Sequence, residues 1–246
     1  MKPYYDHGGI TIYHGDCREV IEEWEGLRTH AFDLLCTDPP YGIGVAKSGR
    51  VGPGRRTKSN GFAVLDATEF APVTWDGDTC SDLMPRLIDM CRSSIIFGGN
   101  YYALPPSRAW LVWDKDNQGT DFADCELAWT NLDQAVRLLR FRWNGMLQGA
   151  GVPKEARHHP TMKPEPVMRW ALMQAPDARR VLDPFMGSGT TLVAGKRIGR
   201  SVVGIEREEA YCEIAAKRLQ QEALPLGDVT YPVNGTEEQI CFAEHS

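Results

Sequence analysis

The sequence predicts an α/β protein built on a mostly parallel, twisted sheet with helices on both faces. Short apolar runs rich in β-branched and aromatic residues alternate with segments whose apolar residues recur at helical spacing. That is the pattern of strand–helix–strand units. Four acids, Asp16, Asp38, Asp183 and Glu206, each stand at the end of such an apolar run. This position is the carboxyl edge of a parallel sheet, where open α/β proteins bind their ligands. One acid there is an ordinary helix cap, whereas four together point to a ligand site.

Strands are expected at 10–14, 32–37, 94–97, 109–113, 125–129, 136–141, 180–182 and 201–205. Helices fall between them. Behind Asp16, whose short carboxylate suits a first-turn cap, Val20, Ile21 and Trp24 share a helical face. Ser81 stands in the same relation to Leu83, Leu87, Ile88 and Cys91. Pro164 and Pro166 suit the first turn of a helix carrying Val167, Trp170 and Ala171, because backbone N–H groups there have no helical partner to lose. Two further helices are expected at 191–198 and 208–222.

The chain has 246 residues, with 27 Lys and Arg against 33 Asp and Glu, for a formal charge of −6. Composition and length fit one globular domain, assigned to residues 1–223, with 224–246 as a tail. The acidic total hides two basic stretches. Residues 42–65 hold Lys47, Arg50, Arg55, Arg56 and Lys58, six Gly, one Pro and no acid, and read as a long loop. Residues 134–163 hold Arg137, Arg140, Arg142, Lys154, Arg157 and Lys163 against Glu155 alone, with a basic loop at 143–160. Local field governs contact with a polyanion more than net charge does. The first stretch is therefore assigned to nucleic acid, and the second reads equally as a nucleic-acid contact or a solvated surface.

No segment approaches the roughly 20 apolar residues of a membrane-spanning helix. The opening residues carry no secretory pattern either, so a soluble, cytoplasmic protein is expected. The seven Cys are odd in number and never form Cys-x-x-Cys, which suggests neither a disulfide framework nor a zinc site. Most are expected to be buried as small apolar residues. His158 and His159 read as loop residues, and no metal is expected.

Two segments carry the chemistry. In the first, Val181-Leu-Asp183-Pro-Phe185-Met-Gly187-Ser188-Gly189-Thr190-Thr191, a strand runs into a glycine-containing turn and a helix start. Thr190 follows Gly189 where a phosphate-binding loop needs Lys, and Leu192 stands where a dinucleotide fingerprint needs a third glycine. An acid directly before the turn suits a ligand bearing an ammonium group. Glu206, seventeen residues after Gly189, suits a ribose diol. The second segment is Thr37-Asp38-Pro39-Pro40-Tyr41-Gly42. Its prolines fix the backbone, Asp38 offers a carboxylate, the Pro39 carbonyl lacks a strand partner, and Tyr41 supplies an aromatic face. Such a pocket fits the exocyclic NH₂ of a nucleobase, both of whose hydrogens need acceptors. The sequence contains no Pro-Cys dipeptide, which argues against methylation at cytosine carbon 5 through a cysteine nucleophile.

Asp38-Pro-Pro-Tyr41, His159-Pro-Thr161-Met-Lys163-Pro164 and Asp183-Pro-Phe185-Met-Gly187-Ser188-Gly189-Thr190-Thr191, in that order, resemble the amino-group DNA methyltransferases that use S-adenosylmethionine. The order, with the amine motif ahead of the cofactor motif, resembles their circularly permuted β group. Phe97-Gly-Gly-Asn100, Trp113-Asp-Lys115 and Phe122-Ala-Asp-Cys-Glu-Leu-Ala-Trp129 are similar to stretches in phage and prophage members. The resemblance implies a Rossmann-like fold and cofactor contacts from Asp183, Phe185, Gly187, Ser188, Gly189 and Thr190. It also implies that Glu206 holds the ribose, Asp16 meets the adenine, and Thr161 and Lys163 close over the methionine moiety.

Asp38, Pro39, Pro40 and Tyr41 are then catalytic, and Lys47, Arg50, Arg55, Arg56 and Lys58 follow the phosphates of double-stranded DNA. Tyr41 would stack on the extruded base, with Trp129 or Trp143 considered as an opposing wall. Members of the group often form dimers, so a homodimer is among the expectations; restriction-modification is the group's setting, a partner endonuclease is left open, and the phage-like segments lean toward a solitary modifier. Adenine N6 is the expected target and cytosine N4 the alternative. A non-catalytic DNA-binding protein with the same fold is the reading from another class.

Overall fold

The computed structural model describes residues 1–24, 29–42, 50–51, 68–69, 79–118, 123–144, 147–148 and 162–221. The early part of the chain runs β1 (Tyr5–His7), β2 (Ile10–His14), α1 (Cys17–Glu23), β3 (Phe32–Thr37), β4 (Arg50–Val51), β5 (Thr68–Glu69), α2 (Met84–Asp89) and β6 (Cys91–Phe97). It continues through β7 (Ala109–Asp114), β8 (Cys125–Thr130), β9 (Arg137–Arg140), β10 (Trp143–Asn144), β11 (Leu147–Gln148) and α3 (Glu165–Met173). The last described elements are β12 (Arg180–Asp183), α4 (Thr190–Arg197), β13 (Ser201–Glu206) and α5 (Glu209–Gln221).

Among the described residues, nine strands form one sheet in the order β1-β2-β13-β12-β3-β6-β8-β7-β9. The run from β2 to β6 is parallel throughout, while β1, β8 and β7 supply the antiparallel pairings. Strands from the end of the chain, β12 and β13, are thus inserted between β2 and β3 from its beginning. Side chains alternate across the central strands. Leu34, Cys36, Ile95, Phe97 and Val181 point to one core with Val167, Leu192 and Ala215 of α3, α4 and α5. Leu35, Ile96 and Leu182 point to the other with Val20, Ile21, Met84 and Leu87 of α1 and α2. Burial on both faces is what the near-continuous apolar runs required.

Two local expectations are corrected. Ser81 lies in a turn ahead of α2, whose N-terminal position is taken by Leu83 without a side-chain cap. Cys91 does not close that helix but opens β6, opposite Phe32, because the parallel ladder claims it. In the second basic stretch three residues meet acids within the fold. Arg140 bonds Asp114 at 2.8 Å, Arg142 pairs with Asp116 at 2.6 Å, and Lys163 is buried. Lys163 is therefore not part of a solvated or DNA-facing surface, whereas Arg140 and Arg142 stay exposed with their charges paired. Apart from residues 143–144 and 147–148, the loop at 143–160 lies outside the described residues, as do Lys47, Arg55, Arg56, Lys58, Thr161 and the tail at 224–246. Of Arg50 only the backbone, in β4, is described. Among the described residues, no helix is long and apolar enough to cross a membrane.

Candidate active site

The four strand-end acids stand side by side. Asp38 directly follows β3, Asp183 ends β12, Glu206 ends β13 and Asp16 lies two residues past β2, on four adjacent parallel strands. One edge of the sheet therefore carries all four. Asp16 caps α1, its Oδ1 accepting from the Arg18 N–H at 2.9 Å. The neighbouring Gly15 N–H donates to the Glu206 carbonyl at 3.0 Å, which seats the Asp16 turn against β13.

Asp183 is buried, and only neutral groups donate to it. Its Oδ1 accepts from the Thr37 hydroxyl at 2.8 Å and the Phe185 N–H at 3.2 Å, and Thr191 adds a side-chain bond. Burial pushes its carboxyl up to about 6, against the pull of the Thr191 and Thr37 bonds. Glu206 is similar. Its Oε2 accepts from the Gly187 N–H at 3.0 Å and its Oε1 from the Glu208 N–H at 2.8 Å, while burial raises it to about 7. Among the described residues neither acid is paired with a cation. A buried and a half-buried carboxylate facing one edge without a counter-charge among the described residues fit a cationic ligand, and each oxygen keeps a lone pair to offer.

The turn between these acids is shaped by glycine. Gly189 has φ +80°, and a Cβ there would come within 2.7 Å of the Ala215 Cβ, so only glycine lets α5 lie this close. Ser188 and Thr190 are buried toward α5, where Arg218 donates to the Ser188 carbonyl at 2.6 Å and reaches the Thr190 Oγ1 at 3.3 Å.

Next to Asp183 lies the Asp-Pro-Pro-Tyr segment. Leu34 and Leu35 of β3 pair with Val181 and Leu182 of β12, and the Thr37–Asp183 bond continues that link to the sheet edge. The Tyr41 hydroxyl donates to Asp38 Oδ1 at 2.5 Å, and Lys163 Nζ donates to Asp38 Oδ2 at 2.6 Å and to the Tyr41 oxygen at 3.1 Å. The resemblance groups Lys163 with the cofactor residues, but in the fold it is bound to the amine motif. Pro164, at the N-terminal position of α3, fixes where Lys163 enters.

On the other side of Lys163, Glu126 Oε2 lies 3.0 Å away, and Glu126 Oε1 pairs with Lys115 at 2.5 Å. Burial raises Asp38 against the opposing charge of Lys163. Burial alone would lower Lys163, but Asp38 and Glu126 together hold it well above the ordinary lysine range. Burial would also raise Glu126, yet Lys163 and Lys115 bring it down to about 2.

Two tyrosines not singled out in the sequence complete this corner. Tyr101 stacks on Tyr41 with centroids 4.9 Å apart and planes at 19°, and the Tyr102 hydroxyl donates to the Pro40 carbonyl. Trp129 and Trp143 are instead buried, and Trp129 donates its indole N–H to the Pro105 carbonyl at 2.8 Å. They are packing residues rather than walls of a base slot. The signal for Tyr101 and Tyr102 was a glycine pair after an apolar run, followed by Asn100 and two aromatics. Gly98 has φ +63°, and a Cβ there would meet Tyr41 Cε1 at 2.0 Å. Gly98→Ala is expected to displace the Tyr41 ring and destabilise the fold by about 1–2 kcal/mol. Transfer should fall while cofactor affinity is retained, which thermal melts and paired binding and rate measurements check.

Two solved structures share this architecture. The M1.HpyAVI–SAM complex overlays with a TM-score of 0.52 at 22% identity, covering 85% of this chain and 99% of that one. The PvuII DNA methyltransferase, described as cytosine-N4-specific, overlays at 0.54 with 16% identity, covering 91% of this chain and 90% of that one. The class is thus a Rossmann-like methyltransferase fold with permuted motif order.

The family model for DNA methylase, N6/N4 type, matches residues 103–217. The Type II methyltransferase M2.DpnII of Streptococcus pneumoniae is 47% identical over 261 residues, spanning 90% of this chain and 93% of its own. M2.LlaDCHI of Lactococcus lactis subsp. cremoris, also a Type II methyltransferase, is 25% identical over 258 residues, with the same coverage. The chain belongs to the N6/N4 DNA methylase family, and DNA is its substrate.

Proposed function

We propose that this enzyme transfers a methyl group from S-adenosylmethionine to the N6 amino group of adenine in double-stranded DNA. The observation that carries the reading is the adjacency of its two motifs. Thr37, immediately before Asp38, donates at 2.8 Å to Asp183, so the amine motif and the uncompensated carboxylates share one sheet edge. The ligand-facing groups fit S-adenosylmethionine: Asp183 for its ammonium, Glu206 for its ribose hydroxyls, the Gly187–Gly189 turn for close backbone approach, and Asp16 beside the adenine. The bound cofactor supplies an electrophilic methyl group on a sulfonium.

The protein's part is to aim the nucleophile. An exocyclic amine is a weak nucleophile because its lone pair is delocalised into the ring. Asp38 and the Pro39 carbonyl accept its two hydrogens, turn the nitrogen toward tetrahedral geometry and direct the lone pair in line. Asp38 need not deprotonate the neutral amine, since the proton becomes acidic only after the N–C bond forms. Tyr41 is the stacking surface for the extruded base, with Tyr101 behind or beside it. The basic stretch at 42–65, leaving directly after Tyr41, follows the DNA backbone.

Adenine is favoured over cytosine because the resemblance pairs Asp at the head of the tetrapeptide more often with adenine, and Ser with cytosine N4. Methylating unmodified DNA with labelled cofactor, digesting it and separating the nucleosides tests this directly. N6-methyl-2′-deoxyadenosine is the expected labelled nucleoside, and N4-methyl-2′-deoxycytidine in its place would move the enzyme to the other branch of its family.

A further inference from the structure

We propose that Glu126 is a second seat for the Lys163 ammonium, one that releases Asp38 when the amino group of a target base arrives. The inference rests on the role given to Asp38 above. In the fold as it stands, both Asp38 oxygens are engaged, Oδ1 by the Tyr41 hydroxyl at 2.5 Å and Oδ2 by Lys163 at 2.6 Å. A neutral amine has to compete with an ammonium for this carboxylate. Expelling a buried lysine into an apolar wall, unpaired, is prohibitive. The Phe97 and Tyr41 rings already face its Nζ at 5.3 and 5.5 Å.

Glu126 removes that obstacle. Its Oε2 is buried and already paired with Lys163 Nζ at 3.0 Å, a longer contact than the 2.6 Å to Asp38 Oδ2. A small shift of the ammonium from Oδ2 toward Oε2 therefore tightens a pairing already present, and the lysine stays paired throughout. Lys115, 2.5 Å from Glu126 Oε1 and 5.1 Å from the Trp113 ring centroid, pins the carboxylate so that Oε2 keeps facing Lys163. Trp113-Asp-Lys115 and the Glu126 segment are the two sequence motifs for which the methyl-transfer reading otherwise has no use.

Glu126→Gln keeps the shape and removes the seat. With S-adenosylmethionine saturating, kcat on unmethylated double-stranded DNA is expected to fall at least about tenfold, while KM for DNA and Kd for S-adenosylmethionine stay within about twofold. A second readout separates this from loosened packing. The titratable and charged neighbours of Asp38 are Lys163, Glu126, Tyr41, Asp183 and Cys36. Removing Glu126 takes away a like charge and leaves Lys163 to Asp38 alone. Both changes favour ionised Asp38, so the acidic limb of the kcat profile moves to lower pH while the plateau drops.

Glu126→Asp retains the charge at shorter reach and is expected to have a kcat between the wild type and Glu126→Gln. It decides the matter should the Gln variant not fold. Unchanged kcat in either variant, or an acidic limb that stays or moves upward in Glu126→Gln, overturns the second seat. Asp38→Ala assayed alongside keeps the two readings apart. If it still transfers methyl groups, the assignment of Asp38 itself fails; if it is inactive and Glu126→Gln is normal, only the second seat fails.

Discussion

Asp38→Ala is expected to lower methyl transfer by at least about a hundredfold, the scale of losing one group that stabilises a transition state by electrostatics, with binding of S-adenosylmethionine intact. Asp38 makes no bond to the turn at Gly187–Gly189, and the Thr37–Asp183 link does not pass through its side chain. Removing it leaves Lys163 paired with Glu126, so the buried ammonium is not orphaned and the fold should survive. Asp38→Asn sharpens the result. The amide keeps one acceptor but presents a donor where the carboxylate had a second, and should recover little activity. Calorimetric titration of the cofactor and single-turnover transfer to DNA measure the two halves separately. Full activity in Asp38→Ala would remove this residue from the mechanism.

Cofactor affinity is expected to rise steeply with pH below about 6 and to level off above about 7. Asp183 and Glu206 are pushed up to about 6 and about 7 by burial, above the ~3.9 and ~4.3 of exposed Asp and Glu. In the free protein this gives a definite sign. The folded chain holds protons that the unfolded chain has released, so the contribution of these groups to stability is fully present below about pH 4 and is lost as pH rises toward 7. A cationic ligand reverses the preference, because it binds the ionised acids.

The two trends therefore oppose each other. From pH 5 to pH 7.5 these acids lower the melting temperature of the free protein, while the stabilisation by saturating S-adenosylmethionine grows, with Kd falling by roughly tenfold per pH unit between the two midpoints and more steeply below the Asp183 midpoint. Asp183→Asn is expected to weaken binding at neutral pH by about two orders of magnitude, since a charge-assisted bond is lost, and to flatten the acidic side of the dependence. A Kd that ignores pH across this window would show that neither carboxylate meets the cofactor.

Much of this site was legible in the chain because its cues are local. Asp16, Asp38, Asp183 and Glu206 each end an apolar run, and strand periodicity alone sends them to one edge of a parallel sheet. Strands β2 and β3 begin and end where the pattern puts them, and β12 and β13 differ by the one acidic residue at their ends. The proline and glycine signals hold for the same reason: a fixed φ at Pro164 and a positive φ at Gly189 are properties of single residues.

What the chain by itself determined was therefore the α/β class, the acidic edge and the two motifs on it, all set by side-chain periodicity and by residues with restricted backbones. Only the tertiary structure decided which motif each charge serves. Lys163 and Asp38 are separated by more than a hundred positions, and their meeting at 2.6 Å depends on α3 sharing one core with β3 and β6. The same holds for Glu126, drawn in by the antiparallel pairing of β8 with β6, and for Tyr101, stacked on Tyr41 across the turn after β6. Buried charges choose partners by proximity in a medium that penalises being unpaired, and proximity between distant segments is fixed by strand order rather than by any signal within either segment.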